Sequence, residues 1–80
     1  MITSSQIKAA RAMTGLTVRS LAEQSNIAFS TLVRLESAGN EIPAGNIETL
    51  RKLINTFEDA GIEFIGTPES GAGVRLRPKT

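Results

Sequence analysis

The chain has 80 residues, of which 40% are hydrophobic, 21% charged and 4% aromatic, and its formal net charge is +1. That length supports one thin-cored domain, which needs good caps, a hydrophobic staple or a second subunit to be stable. It contains neither Cys nor His; this excludes disulfides, thiolate or imidazole metal ligation and His-based acid–base chemistry, so no cofactor, no metal and no enzymatic activity are expected.

The start, Met1-Ile2-Thr3-Ser4, lacks the basic-then-apolar plan of a signal peptide. No stretch approaches the roughly 20 apolar residues of a membrane span. A cytoplasmic protein with no membrane partner is the expectation. Thr3-Ser4-Ser5-Gln6 reads as a capping box, and Ile2 and Ile7 flank it as a staple. A first helix is predicted over Ser4–Met13, with Ile7, Ala10 and the stem of Arg11 on one face and Gly15 near its end.

Thr17 caps a predicted second helix, Val18–Gln24, with Leu21 and Ala22 on its inner side. Asn26 follows and can turn the chain through the left-handed conformation. A third helix is expected over Phe29–Ser37, with Leu32 and Leu35 spaced for burial and Ile27 as a plug before them. Glu41–Gly45, with Pro43, reads as a loop. Asn46 then caps a fourth helix, Ile47–Ala60, whose Ile47, Leu50, Leu53, Ile54 and Phe57 recur at three- and four-residue steps as one stripe. Gly61 is placed to end it.

Past Gly61 the period changes. Ile62-Glu63-Phe64-Ile65 and Val74-Arg75-Leu76-Arg77 alternate as strands do, and the segment between them is rich in turn residues. Antiparallel pairing places Phe64 opposite Val74, Ile62 opposite Leu76 and Glu63 opposite Arg75. An isolated hairpin is marginal in water, so this one is expected to lean on the fourth helix or to pair with another chain.

Charge is unevenly spread. Residues 1–40 carry a balance of +2, residues 41–70 of −4, and residues 71–80 of +3. An anionic partner fits the N-terminal half better than the middle, although a mixed solvated surface reads the same way.

The informative segment is Val18–Ser37. Two short helices joined by a tight turn, with apolar Leu21, Ile27, Leu32 and Leu35 and small Ala22, have the spacing of a helix-turn-helix, which sets its second helix in the major groove of DNA. An ordinary helical hairpin in a small bundle uses the same elements.

The run Leu16-Thr-Val-Arg-Ser-Leu-Ala-Glu-Gln-Ser-Asn-Ile-Ala-Phe-Ser-Thr-Leu-Val-Arg-Leu-Glu-Ser-Ala-Gly39 resembles the helix-turn-helix of the lambda-repressor/Cro-like (XRE) transcriptional regulators. The first and fourth helices fall where that family has them, so the resemblance covers about residues 3–60. The ending resembles a subgroup that finishes in a strand pair. It implies a mainly α fold: a four-helix lambda-repressor-like DNA-binding domain over residues 1–61, with the motif at about 17–37. A short C-terminal β-hairpin or strand pair and tail at 62–80 is the candidate dimerisation element.

The resemblance also implies roles. Arg11 and Glu36 match an ion pair between the first and third helices; independent surface charges are the alternative. Phe29, Ser30, Val33 and Arg34 match base-facing positions. Arg34 reads guanine by a two-pronged hydrogen bond, or else contacts phosphate, and Phe29 and Val33 touch thymine methyls. A lone Phe serves as well in a core. Val18, Thr31 and Ser37 match positions near the sugar-phosphate backbone; Thr17, the amides beside it and Arg19 are further phosphate candidates. Two positions depart from the family: Val18 stands where Gln is usual, and Ala28 where Ser or Thr caps the third helix. Ala costs about 1 kcal/mol against Ser as a cap, and Ser30 is expected to cap one turn later.

Dimers present two such helices about 34 Å apart. Edge pairing of the hairpins would build one, with Phe57, Ile62, Phe64, Ile65, Val74 and Leu76 as candidate interface residues; the alternative is a hairpin that only caps its own bundle. The expected function is a sequence-specific transcriptional regulator, a repressor binding double-stranded DNA as a homodimer. The alternative is a module for a protein partner, such as an antitoxin-like component of a two-protein operon. An enzyme would rest on carboxylates, and no two form a recognisable pair.

Overall fold

A computed structural model describes residues 2–39 and 46–77. The predicted loop Glu41–Gly45 and the tail with Lys79 lie outside the described residues. The chain order is α1 (Ser4–Thr14), α2 (Val18–Ser25), α3 (Phe29–Leu35), α4 (Ile47–Asp59), β1 (Ile62–Ile65) and β2 (Gly73–Leu76). The protein is therefore mainly helical with a two-stranded antiparallel sheet.

Each helix starts where local chemistry allows, with one exception. Thr3 Oγ1 accepts from the Gln6 amide at 3.1 Å, and Gln6 Oε1 accepts from the Thr3 amide at 2.8 Å, a complete capping box. Thr17 Oγ1 accepts from the Ser20 amide at 3.0 Å, and Asn46 Oδ1 from the Thr49 amide at 2.7 Å. The exception is α3, whose cap residue Ala28 makes no side-chain bond. Ser30 does not cap late, because α3 already begins at Phe29 and Ser30 lies inside its first turn. Asn26 takes the left-handed conformation at φ 57° and closes α2.

The core gathers Ile2, Ile7 and Ala10 from the first helix and its lead-in, Leu21 and Ile27 around α2, Leu32 and Leu35 from α3, Leu50, Leu53 and Phe57 from α4, and Ile62 from β1. Ile47 was expected on the α4 stripe but stands exposed at the helix start, and Ile54 packs only partly against the core.

The hairpin has the predicted register: Ile62 pairs with Leu76, Glu63 with Arg75 and Phe64 with Val74. It leans on two helices. The Phe64 ring meets Phe57 of α4 edge-on, 6.0 Å between centroids at 73°. From α1, Gln6 Nε2 donates to the carbonyls of Ile65 at 3.1 Å and Gly73 at 2.9 Å. One glutamine side chain thus caps its own helix and clips the two strands together where they enter and leave the turn. Gly66 starts the turn at φ 76°, and a Cβ there would sit 2.5 Å from the Gly71 carbonyl oxygen, so the turn requires glycine.

Candidate nucleic-acid interface

Helix α3 is held from its C-terminal end. The Ser4 hydroxyl donates to the Leu35 carbonyl and accepts from the Ala38 amide at 3.2 Å. The Ser5 amide donates to the Gly39 carbonyl at 2.8 Å. These bonds take up groups that a longer helix would use itself, and the Ser37 hydroxyl turns back onto the Arg34 carbonyl at 2.6 Å. The helix therefore stops at Leu35, short of the predicted Ser37.

Beside this junction Arg11 and Glu36 form a two-pronged pair. Arg11 Nε donates to Glu36 Oε2 at 2.9 Å and Nη2 to Oε1 at 3.1 Å, while Nη1 donates to the Leu16 carbonyl at 3.3 Å. One guanidinium so ties α1 to the end of α3 and to the turn before α2. Glu36 is buried, and such a carboxylate depends on its partner.

With Leu32 and Leu35 buried, the opposite arc of α3 faces outward. Phe29, Ser30, Val33, Arg34 and Ser37 are all exposed there. Phe29 is 46% and Val33 50% exposed, large apolar side chains that no packing requirement places on the surface. Phe29 is thus not core. The Arg19 guanidinium of α2 lies 5.2 Å from the Phe29 ring centroid, a cation–π contact. This face combines two apolar groups with planar guanidinium donors at Arg34 and Arg19, a set suited to a flat partner bearing paired acceptors and methyl groups.

Three further sequence candidates sit at the start of α2 and within α3. The Thr17 hydroxyl caps α2 and donates to Ser20 Oγ at 3.0 Å. Val18 packs partly against the core. Thr31 is half-buried on the flank of α3.

The dimer candidates divide sharply. Phe57 and Ile62 are spent in the chain's own core and offer no surface to a second copy. Phe64 and Val74 are half-buried against the bundle. Ile65 and Leu76 stay exposed, at 40% and 43%. Sequence reasoning missed Ser4 and Gln6 as positioning residues, because the partners involved lie 31 to 67 residues away.

Among the described residues, no cluster of three or more His, Cys, Asp or Glu could hold a metal ion, and no helix is long and apolar enough to cross a membrane. No family model and no curated protein matches the chain.

Proposed function

We propose that the protein is a sequence-specific DNA-binding transcriptional regulator of the lambda-repressor/Cro-like kind, a cytoplasmic repressor that binds double-stranded DNA as a homodimer with α3 in the major groove. The observation that carries this reading is the outward face of α3. Its inner side is fully committed to the core, its C-terminal end is fastened by Ser4 and Glu36, and its outer side leaves Phe29, Val33 and Arg34 exposed together. A rigid helix with a few unspent side chains is what base-edge reading needs. Arg34 supplies the two-pronged donor for guanine O6 and N7.

A symmetric dimer would present two copies of α3 to sites about 34 Å apart, one DNA turn. The exposed strand residue Ile65 is the natural contact, joined by the open backbone edges of the hairpin. Ile65→Lys should shift the sedimentation coefficient from dimer toward monomer; an unchanged coefficient would move the dimer surface elsewhere.

A second reading, a module for a protein partner, draws on a groove of about 520 Å³ lined by Met13, Thr14, Leu16, Gln24, Ala60, Leu76 and Arg77. Met13 and Leu76 in it are 44% and 43% exposed. The two readings are compatible in one chain.

Selection of bound duplexes from a random pool at two salt concentrations tests the main reading. A DNA reader enriches one sequence, and its affinity falls steeply with salt as counterions are released. Equal, weak binding to every duplex at both concentrations rejects it.

A further inference from the structure

We propose that the first turn of α1 is a coupling joint between the hairpin and α3: a second copy's strand engaging the hairpin tightens the C-terminal end of α3, and DNA held by α3 tightens the hairpin in return. The inference rests on the DNA-binding reading above and adds to it a link between the two surfaces that reading uses.

Two residues along a helix correspond to about 200° of rotation, so the side chains of Ser4 and Gln6 leave α1 on opposite sides. On one side the Ser4 hydroxyl holds the Leu35 carbonyl and the Ala38 amide, and the Ser5 amide holds the Gly39 carbonyl. On the other, Gln6 Nε2 holds the carbonyls of Ile65 and Gly73, the last paired residues before the hairpin turn. Gln6 Oε1 and Thr3 Oγ1 close the capping box between the two sides. Thr3, Ser4 and Gln6 are all buried. Among the described residues, no buried side-chain nitrogen or oxygen lacks a partner.

Such a joint has little slack. Unwinding the first turn of α1 strands bonded groups on both sides at once, away from water. Fraying of the hairpin and fraying of the end of α3 therefore favour each other. Whatever suppresses one opening suppresses the other, and linkage makes the effect mutual. The open strand edges and the exposed Ile65 offer the hairpin to a strand of a second copy. Dimerisation and DNA binding then reinforce each other inside each subunit, beyond the gain from presenting two recognition helices together.

Hydrogen exchange on the whole chain tests this, with the buried Leu53 and Phe57 of α4 reporting global unfolding. Gly66→Ala strikes the hairpin turn, where a Cβ would sit 2.5 Å from the Gly71 carbonyl oxygen. Without DNA, the Glu36 and Ala38 amides should then exchange at least about fivefold faster, beyond any change at Leu53 and Phe57. Ser70→Ala removes an exposed acceptor of the Thr67 amide and loosens the same turn more gently. It should act in the same direction, and it carries the test if Gly66→Ala does not fold. In a Ser4→Ala background neither turn variant should add anything at Glu36. Faster exchange confined to the hairpin overturns the inference, and so does an effect of equal size with the Ser4 hydroxyl removed. These arms need no DNA, so they decide the joint even if no sequence is selected and the DNA-binding reading falls. With the selected duplex, wild type should gain protection at the Ile65 and Gly73 amides, and Ser4→Ala should lose about fivefold of that gain. Protection that Ser4→Ala retains in full comes from dimer contact alone and overturns the mutual link.

Discussion

Two arginine–glutamate clusters in this protein share chemistry and distance but not surroundings. Arg11 and Glu36 meet at 2.9 Å, with the Glu36 side chain only 8% exposed. Arg75 and Arg77 meet Glu63 at 2.6 and 3.0 Å, with the two arginines mostly in water. The first cluster joins helices far apart in sequence and helps fix α3. The second lies on the solvent side of strands already paired by their backbones. Distance does not rank them; burial does. Water offers the exposed charges an almost equal alternative, whereas breaking the buried pair strands a carboxylate.

The largest expected effect comes from breaking the buried side of this contrast. Arg11→Ala should cost about 2–3 kcal/mol in urea unfolding, below the 3–5 kcal/mol of full burial because the guanidinium keeps some contact with water. A loss no larger than that from removing Glu63 would erase the distinction. Ser4→Ala comes next, at about 1–2 kcal/mol, because it takes the partner from the Leu35 carbonyl and the Ala38 amide. Hydrogen exchange should then quicken at the end of α3; unchanged protection there would show that the hydroxyl does not hold the helix.

Glu63→Gln should give the smallest effect, a slight shift of the unfolding midpoint at neutral pH. Its pH dependence is more informative. Hydrogen bonds from Arg75 and then Arg77 hold the Glu63 carboxyl below its ordinary 4.5. A carboxyl more acidic in the folded chain than in the unfolded one stabilises the fold above about pH 4.5, and that contribution disappears as the pH falls through the folded value. The stability gap between wild type and Glu63→Gln should be constant near neutrality and close below pH 4.5. A gap that widens on acidification would contradict the assigned partners.

The same contrast explains what was legible in the sequence. Caps at Thr3, Thr17 and Asn46 and the register of the hairpin follow from neighbours a few residues away, and alternation alone aligned Phe64 with Val74. Ile47 went astray because periodicity continued past the end of the surface that covers α4. Ser4 and Gln6 acquire their second roles from partners 31 to 67 residues away, which no local pattern encodes. Within the candidate site, the outward arc of α3 could be drawn from spacing, but the stacking of Arg19 on Phe29 depends on how α2 crosses α3. Phe57 and Ile62 were assigned to an interface because apolarity does not distinguish a chain's own core from a partner's surface.

The central claim is that the outward face of α3 reads base sequence. The most direct measurement compares wild type and Arg34→Ala on a selected duplex and on each of its single-base mismatches at one salt concentration. Wild type should discriminate, and Arg34→Ala should lose about 1–3 kcal/mol of that discrimination at one base pair while unfolding at the same temperature. An equal loss on every duplex would make Arg34 a phosphate contact, and a wild-type chain that does not discriminate would contradict the account.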